Sequence, residues 1–187
     1  MKEILIVSDS HKNNRILNNI FKAHPHIDTC IHCGDLQDNE NGLEINKLLI
    51  VRGNNDFELY PNELILDIEN YKIYVAHGHM HDIEYTDQKI YENALQHHTD
   101  IILFGHTHDP KFYKKDHMFM INPGSVSFPR SKTIYIPTYA ILSLSDKIEC
   151  HFYNAKTHEC VDDELFNPQP KQKKGFFSFL KSKKSSH

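Results

Sequence analysis

Apolar residues in this chain fall in short runs, and each run ends on a polar cluster. Ile4-Leu5-Ile6-Val7 leads residues 4–8, which read as a fully buried strand because consecutive apolar positions leave no face for solvent. The chain then breaks at Asp9-Ser10-His11. Ile16, Leu17, Ile20 and Phe21 recur at helical spacing, which predicts an amphipathic helix over 13–23. Short strands follow at 28–33, ending on Gly34-Asp35, and at 48–52, ending on Gly53-Asn54-Asn55-Asp56. A strand, a helix and two more strands predict an α/β opening with parallel pairing.

The middle changes character. Residues 63–68 and 72–76 pattern as a hairpin around Glu69-Asn70-Tyr71, and its second strand runs into His77-Gly78-His79. Ile90, Tyr91, Ala94 and Leu95 share one side of a helix expected at about 87–98. Strand 100–104 reaches Gly105-His106-Thr107-His108. Segments 111–115, 117–121, 138–144 and 147–153 read as antiparallel strands, so the second half is expected to be mostly antiparallel sheet. Two sheets covered by helices make a layered α/β sandwich. Beyond Pro168 the chain turns to Gln, Pro, Lys and Ser around Phe176, Phe177, Phe179 and Leu180. A boundary near 165 is expected, with a domain over 1–166 and a basic, disordered tail over 167–187.

Composition sharpens this picture in three ways. The chain of 187 residues has a net charge of −4, but residues 167–187 hold six Lys and no carboxylate side chain. Removing those six charges leaves the body, 1–166, at −10. An acidic body argues against nucleic acid as a specific partner. The apolar residues of the tail among its lysines allow a membrane contact, although a solvated extension is the simpler expectation. Four cysteines and no leader-like start fit a reducing, cytoplasmic setting. Cys30-Ile31-His32-Cys33 has metal-motif spacing, but on a strand period two sends the sulfurs to opposite faces, so packing is expected. Histidine is the unusual count, at 15.

Five polar clusters each follow a short apolar strand: Asp9-x-His11, Gly34-Asp35, Gly53-Asn54-Asn55-Asp56, His77-Gly78-His79 and Gly105-His106-Thr107-His108. Sites in open α/β sheets gather beyond the carboxyl ends of strands, so these loops are expected to converge. An isolated D-x-H carries little weight, whereas all five in series make a specific signal. The mixture of His, Asp and Asn suits Mn, Zn, Fe or Ni better than an all-oxygen Ca site. Seven candidate ligands exceed one tetrahedral ion and suit two ions sharing a carboxylate.

The order D-x-H, G-D, G-N-x-D, H-G-H, G-H-T-H resembles that of the calcineurin-like metallophosphoesterases. Asn122-Pro123-Gly124-Ser125, followed by Pro129-Arg130, is similar to a stretch of the small YfcE-type phosphodiesterases within that family. The likeness runs from residue 3 to about 155. It implies a four-layer α/β/β/α sandwich of two mixed sheets and a metal-dependent phosphodiesterase. It assigns Asp9, His11 and His108 to a first divalent metal, Asn54, His77 and His106 to a second, and Asp35 to a bridge. Mn is the leading expectation for both ions, with Ni, Zn or Fe as alternatives. A metal-bridging hydroxide would then attack a phosphodiester substrate, and a homo-oligomer is compatible with the subgroup. Position 55 departs from the family, since many relatives carry His there; Asn55 can touch the phosphate or leaving group but has no proton to give near neutral pH. Asp56 is expected to hold a neighbouring loop or a His, His79 to contact substrate or orient a ligand, and His81 to lie at the surface. The alternative to an enzyme is a non-catalytic interaction module on the same fold, like the retromer subunit that resembles this family; the complete ligand set favours the enzyme.

Overall fold

A computed structural model describes residues 1–167, so the readings made for the Lys/Phe tail lie outside the described residues. Ten strands form two five-stranded mixed sheets. The first sheet has the order β10-β9-β1-β2-β3, built from β1 (Lys2–Val7), β2 (Thr29–His32), β3 (Lys47–Ile50), β9 (Thr138–Leu144) and β10 (Ile148–Asn154). The second has the order β4-β5-β6-β8-β7, from β4 (Glu63–Ile68), β5 (Tyr71–Ala76), β6 (Ile101–Leu103), β7 (Lys111–Lys115) and β8 (Met118–Asn122).

The continuous apolar runs have a direct structural reason. β1 lies at the centre of its sheet and serves two cores at once. Ile4 and Ile6 face Ile73, Val75, Ile101 and Leu103 between the sheets. Leu5 and Val7 face outward onto Leu17, Ile20 and Phe21 of α1 (Asn14–Ala23). On the other outer face, Tyr74 and Ile102 pack against Ile90, Tyr91 and Ala94 of α2 (Gln88–Gln96), while Leu95 remains 42% exposed. Helix, sheet, sheet and helix therefore stack as four layers. Burying each large aliphatic side chain contributes about 1.5–3 kcal/mol, so these three clusters supply most of the driving force. α1 starts where Asn13 Oδ1 accepts the Ile16 N–H at 3.2 Å, a side-chain cap.

The second half is mostly antiparallel as expected, in the pairs β4–β5, β7–β8, β9–β10 and β9–β1, while β6 runs parallel to both its neighbours, β5 and β8. The helical crossover through α2 returns the chain in the same direction as β5, and the β7–β8 hairpin brings β8 in beside β6. The last two strands leave that sheet altogether, and β9 pairs antiparallel with β1. A short α3 (Asp162–Phe166) follows β10, with Val161 and Leu165 packed on the inter-sheet core.

The carboxyl ends of β1, β2 and β3 point one way in the first sheet, and those of β5 and β6 lie at the facing edge of the second. The cysteines split as period two requires. Cys33, just past β2, joins the core between the sheets, and Cys30 joins the core under α1.

His32, at the end of β2, is fully buried. Its Nδ1 accepts the Gly34 N–H at 3.2 Å, so its Nε2–H faces Ser10 Oγ at 3.0 Å. Burial pushes its pKa down to about 4. A second ring proton would set N–H against N–H. The unfolded chain binds this proton from about pH 6.5 downward and the folded chain does not, so stability falls as pH drops from 6.5 toward 4. The loss for this one residue is on the order of 3 kcal/mol. Thermal unfolding of chelator-treated protein across that window should show the decline, and His32→Gln should flatten part of it.

Candidate metal centre

The site is built from the backbone outward. Asp9, His11, Asp35, His106 and His108 all hold positive φ, at 52°, 47°, 59°, 67° and 56°. Non-glycine residues occupy this region at a cost, and such strain is kept only where surrounding structure enforces it. The enforcement is visible as hydrogen bonds. Asp9 N–H donates to Gly34 O at 3.0 Å, His11 N–H to Asp35 O at 3.0 Å, and Arg130 N–H to His108 O at 3.1 Å. Asp56 ties the second and third loops, since its carboxylate accepts from the backbone N–H of Asp35 at 2.9 Å, Gly53 at 2.7 Å and Gln37 at 2.6 Å. That is the loop-holding role expected for Asp56.

The side chains then converge. His77 Nδ1 lies 2.7 Å from Cys33 O and His108 Nδ1 lies 2.6 Å from Phe128 O. A carbonyl only accepts, so each Nδ1 carries the proton and each Nε2 presents a lone pair in the neutral ring. His77 Nε2 faces Asn54 Oδ1 at 3.2 Å, Asp35 Oδ2 at 3.6 Å and Asp9 Oδ1 at 3.9 Å. His108 Nε2 faces Asp9 Oδ1 at 3.1 Å and His11 Nε2 at 3.5 Å. Asp9 Oδ2 is satisfied by Ser8 Oγ at 2.6 Å and the His106 N–H at 3.1 Å, whereas Asp9 Oδ1 is buried with no hydrogen-bond partner. Imidazole nitrogens, carboxylate oxygens and an amide oxygen converging this closely fit divalent cations. Two groups meet metal-binding proximity: Asp9, His11 and His108, and Asp9, Asp35 and His77.

Electrostatics agree with the geometry. Burial opposes charge on Asp9, but the imidazoles of His108 and His77 outweigh it and hold the carboxyl below its usual range. Burial works against a charged His108 too, and Asp9 overcomes it, so that imidazole is raised. Burial and the nearby His77 and His106 rings push His79 down to about 4, leaving it neutral at pH 7.

The remaining candidates are placed as follows. His106 sits beside His77 with ring centroids 5.1 Å apart, and its Nε2 lies 3.4 Å from Glu84. Asn54 is exposed at the rim. Asn55 is exposed beside Asp35, where its backbone N–H and its Nδ2 donate to Asp35 Oδ1 and Oδ2 at 2.8 and 2.6 Å. His81 is buried rather than at the surface, because the turn over His79–His81 places its ring against Tyr74 OH at 3.3 Å and Asn93 Nδ2 at 3.0 Å. Four supporting residues complete the site: Ser8 and Glu84, which the sequence reading gave no role, and Asn122 and Ser125, which it marked only as part of a motif. Ser8 orients Asp9, Ser125 Oγ donates to Asp9 O at 2.9 Å, Asn122 Nδ2 donates to Gly105 O at 2.8 Å, and Glu84 meets His106. Ser8 could have been noticed as the polar end of an otherwise apolar run.

Residues 1–147 match the calcineurin-like phosphoesterase superfamily domain. The chain belongs to that superfamily. It is a metal-dependent phosphoesterase, a hydrolase. The phosphoesterase is 36% identical over 162 residues to the probable metallophosphoesterase YsnB of Bacillus subtilis, covering 85% of this chain and 95% of that one. A crystal structure of a predicted phosphoesterase from Streptococcus pneumoniae superposes with a TM-score of 0.78 at 30% identity, covering 85% of this chain and 92% of that one. Zinc-complexed Vps29 from Entamoeba histolytica shares the fold at 20% identity and a TM-score of 0.67, covering 84% and 95%. No helix among the described residues of the phosphoesterase is long and apolar enough to cross a membrane.

Gly34 offers a direct test of the packing at this centre. A Cβ there would lie 2.6 Å from His77 Nδ1, and its φ of 98° disfavours any side chain. Gly34→Ala should push the His77 ring off its carbonyl, lower stability by about 1–3 kcal/mol and weaken metal binding. Thermal unfolding and a metal titration of the same variant measure both effects.

Proposed function

We propose that this phosphoesterase is a dimetal phosphodiesterase acting on small phosphodiesters. The observation that carries the reading is the convergence of imidazole nitrogens, carboxylate oxygens and an amide oxygen around Asp9 Oδ1 and His77 Nε2. Asp9, His11 and His108 would hold one ion, and Asn54, His77 and His106 the other, with Asp35 reaching both. His106 Nε2 lies 3.4 Å from Glu84 Oε1, and either ring nitrogen of His106 can offer its lone pair according to tautomer. Mn²⁺ fits the mixed imidazole, carboxylate and amide donors, and Ni, Zn or Fe fit the same set. Two such ions would neutralise the phosphate oxygens and acidify a water to the attacking hydroxide.

The chain's own residues do the rest. The Cys33 and Phe128 carbonyls lock two imidazoles in the ligating tautomer, which keeps their orientation fixed before any ion arrives. Ser8 and the His106 N–H occupy Asp9 Oδ2 and so direct Oδ1 inward. Asn55 clamps both oxygens of Asp35 and gives no proton to a leaving group. His79, neutral at pH 7, gives none either. The arrangement therefore favours diesters whose leaving group departs as a stable anion. The complete set of seven ligand positions, with the match to the phosphoesterase domain, supports hydrolysis over a purely interacting module.

Metal analysis with kinetics tests this reading. Wild-type protein should bind two Mn²⁺ per chain and hydrolyse an aryl phosphodiester, with activity lost on chelation and restored by Mn²⁺ but not by Ca²⁺. Asp35→Asn or Asp9→Asn should bind fewer ions and lose more than about 10²-fold in kcat. Near-normal turnover after exhaustive chelation would overturn the proposal. Alkyl monoesters should turn over far more slowly than aryl diesters, since general acid help is worth roughly 10²–10⁴-fold where it exists.

A further inference from the structure

We propose that the open cavity beside His11 and His108 seats a nucleoside arm of the substrate that carries a second phosphate. The proposal rests on the phosphodiesterase reading above. The cavity measures about 520 Å³, and Phe128, Arg130, Tyr135, Pro137 and Lys156 are among its lining residues. It adjoins the metal centre through shared residues. The Phe128 ring packs 5.2 Å from the His11 ring and its carbonyl holds His108 Nδ1, while the Arg130 N–H is bonded to the His108 carbonyl.

The lining has a consistent chemistry. Phe128 and Tyr135 are 58% and 80% exposed, so both present aromatic surface to the cavity's solvent. A nucleobase stacked on them would remove that surface from water. Arg130 and Lys156 supply two positive charges, and no carboxylate lines the cavity. That concentration stands out in a body of net charge −10, where arginine occurs only at Arg15, Arg52 and Arg130. Arg130 can grip a phosphate through its planar fork. The walls are also held in place. Ser125 Oγ accepts the Phe128 N–H at 2.8 Å, and Ala155 N–H, one residue before Lys156, donates to Pro137 O at 2.8 Å. The acidic body around the cavity limits the ligand to a short one, so the class is a dinucleotide-like diester rather than a long nucleic acid.

Three probes sharing one leaving group isolate the arm: methyl p-nitrophenyl phosphate, thymidine 5′-(p-nitrophenyl phosphate), and the same nucleoside diester bearing a 3′-phosphate. In each, water adds to phosphorus and the P–O bond to nitrophenol breaks. The nitrophenolate leaves with the electron pair, and solvent takes the proton. With Mn²⁺-loaded protein, kcat/KM should rise about tenfold from the first probe to the second. It should rise severalfold more to the third, chiefly through KM and less so at high salt. Tyr135→Ala should erase the first step and Lys156→Ala the second. Equal kcat/KM for all three probes, or steps that survive both substitutions, would overturn the subsite. If the methyl diester itself is not hydrolysed, the catalytic reading fails, and calorimetry then judges the cavity alone. In that assay thymidine 3′,5′-bisphosphate should bind wild-type protein at least tenfold more tightly than inorganic phosphate, and neither variant should keep the difference. Binding no tighter than phosphate would overturn the subsite independently.

Discussion

Acceptor groups repel, and this molecule brings them together on purpose. Two imidazole lone pairs, an amide oxygen and two carboxylates meet at the strand ends, within 4 Å of one another along the chain of contacts around Asp9 and His77. Hydrogen bonds from Asn55, Ser8 and the His106 N–H offset part of that repulsion, and positive charge offsets the rest. Positive charge is favoured beside Asp9, in line with a His108 raised by Asp9 and an Asp9 lowered by His108 and His77. The rest of the architecture can be understood as the scaffold that resists this repulsion. Two sheets, packed through a dry aliphatic core, fix where five loops emerge.

The scaffold works at two scales. The cores under α1, between the sheets and under α2 set the loop positions to within an ångström or so, because close-packed interiors deform little. The loops themselves are then pinned by buried polar groups. Asp56 gathers three backbone amides, and Ser125 reaches both the Asp9 carbonyl and the Phe128 amide. Five site residues in left-handed backbone would relax elsewhere without those bonds. Strain at about 1–3 kcal/mol each is affordable only in a domain with large cores to offset it.

Much of this was legible in the sequence, and the reasons are specific. Helix α1 and the strands β4, β7 and β9 announce themselves through periodicity and run length. The polar clusters after β1, β2, β3, β5 and β6 were visible because each interrupts an apolar run with Gly, Asp, Asn or His. Sheet membership was harder. The local pattern of β9 and β10 matches any antiparallel hairpin, and only long-range pairing of β9 with β1 decides their sheet. His81 was misjudged because a short turn with no periodicity decides where its ring goes. The direction of the Asn55 amide is likewise a matter of loop geometry. Glu84 lies outside the apolar-run pattern, so nothing in spacing marked it, and Ser125 was visible only as part of the Asn122–Ser125 motif, without its role.

The division of the cysteines between layers gives the protein a built-in gauge of its own integrity. Cys30, Cys33 and Cys150 are buried in two different cores, and burial pushes all three thiols up. Cys160 is exposed. A thiol reagent therefore meets one accessible sulfur in the native chain and four in the unfolded one. Because Cys30 sits beneath α1 and Cys33 between the sheets, the order in which the hidden sulfurs become reactive tells which layer parts first. Loosening of the helix can be told from separation of the sheets with no label added and no residue changed.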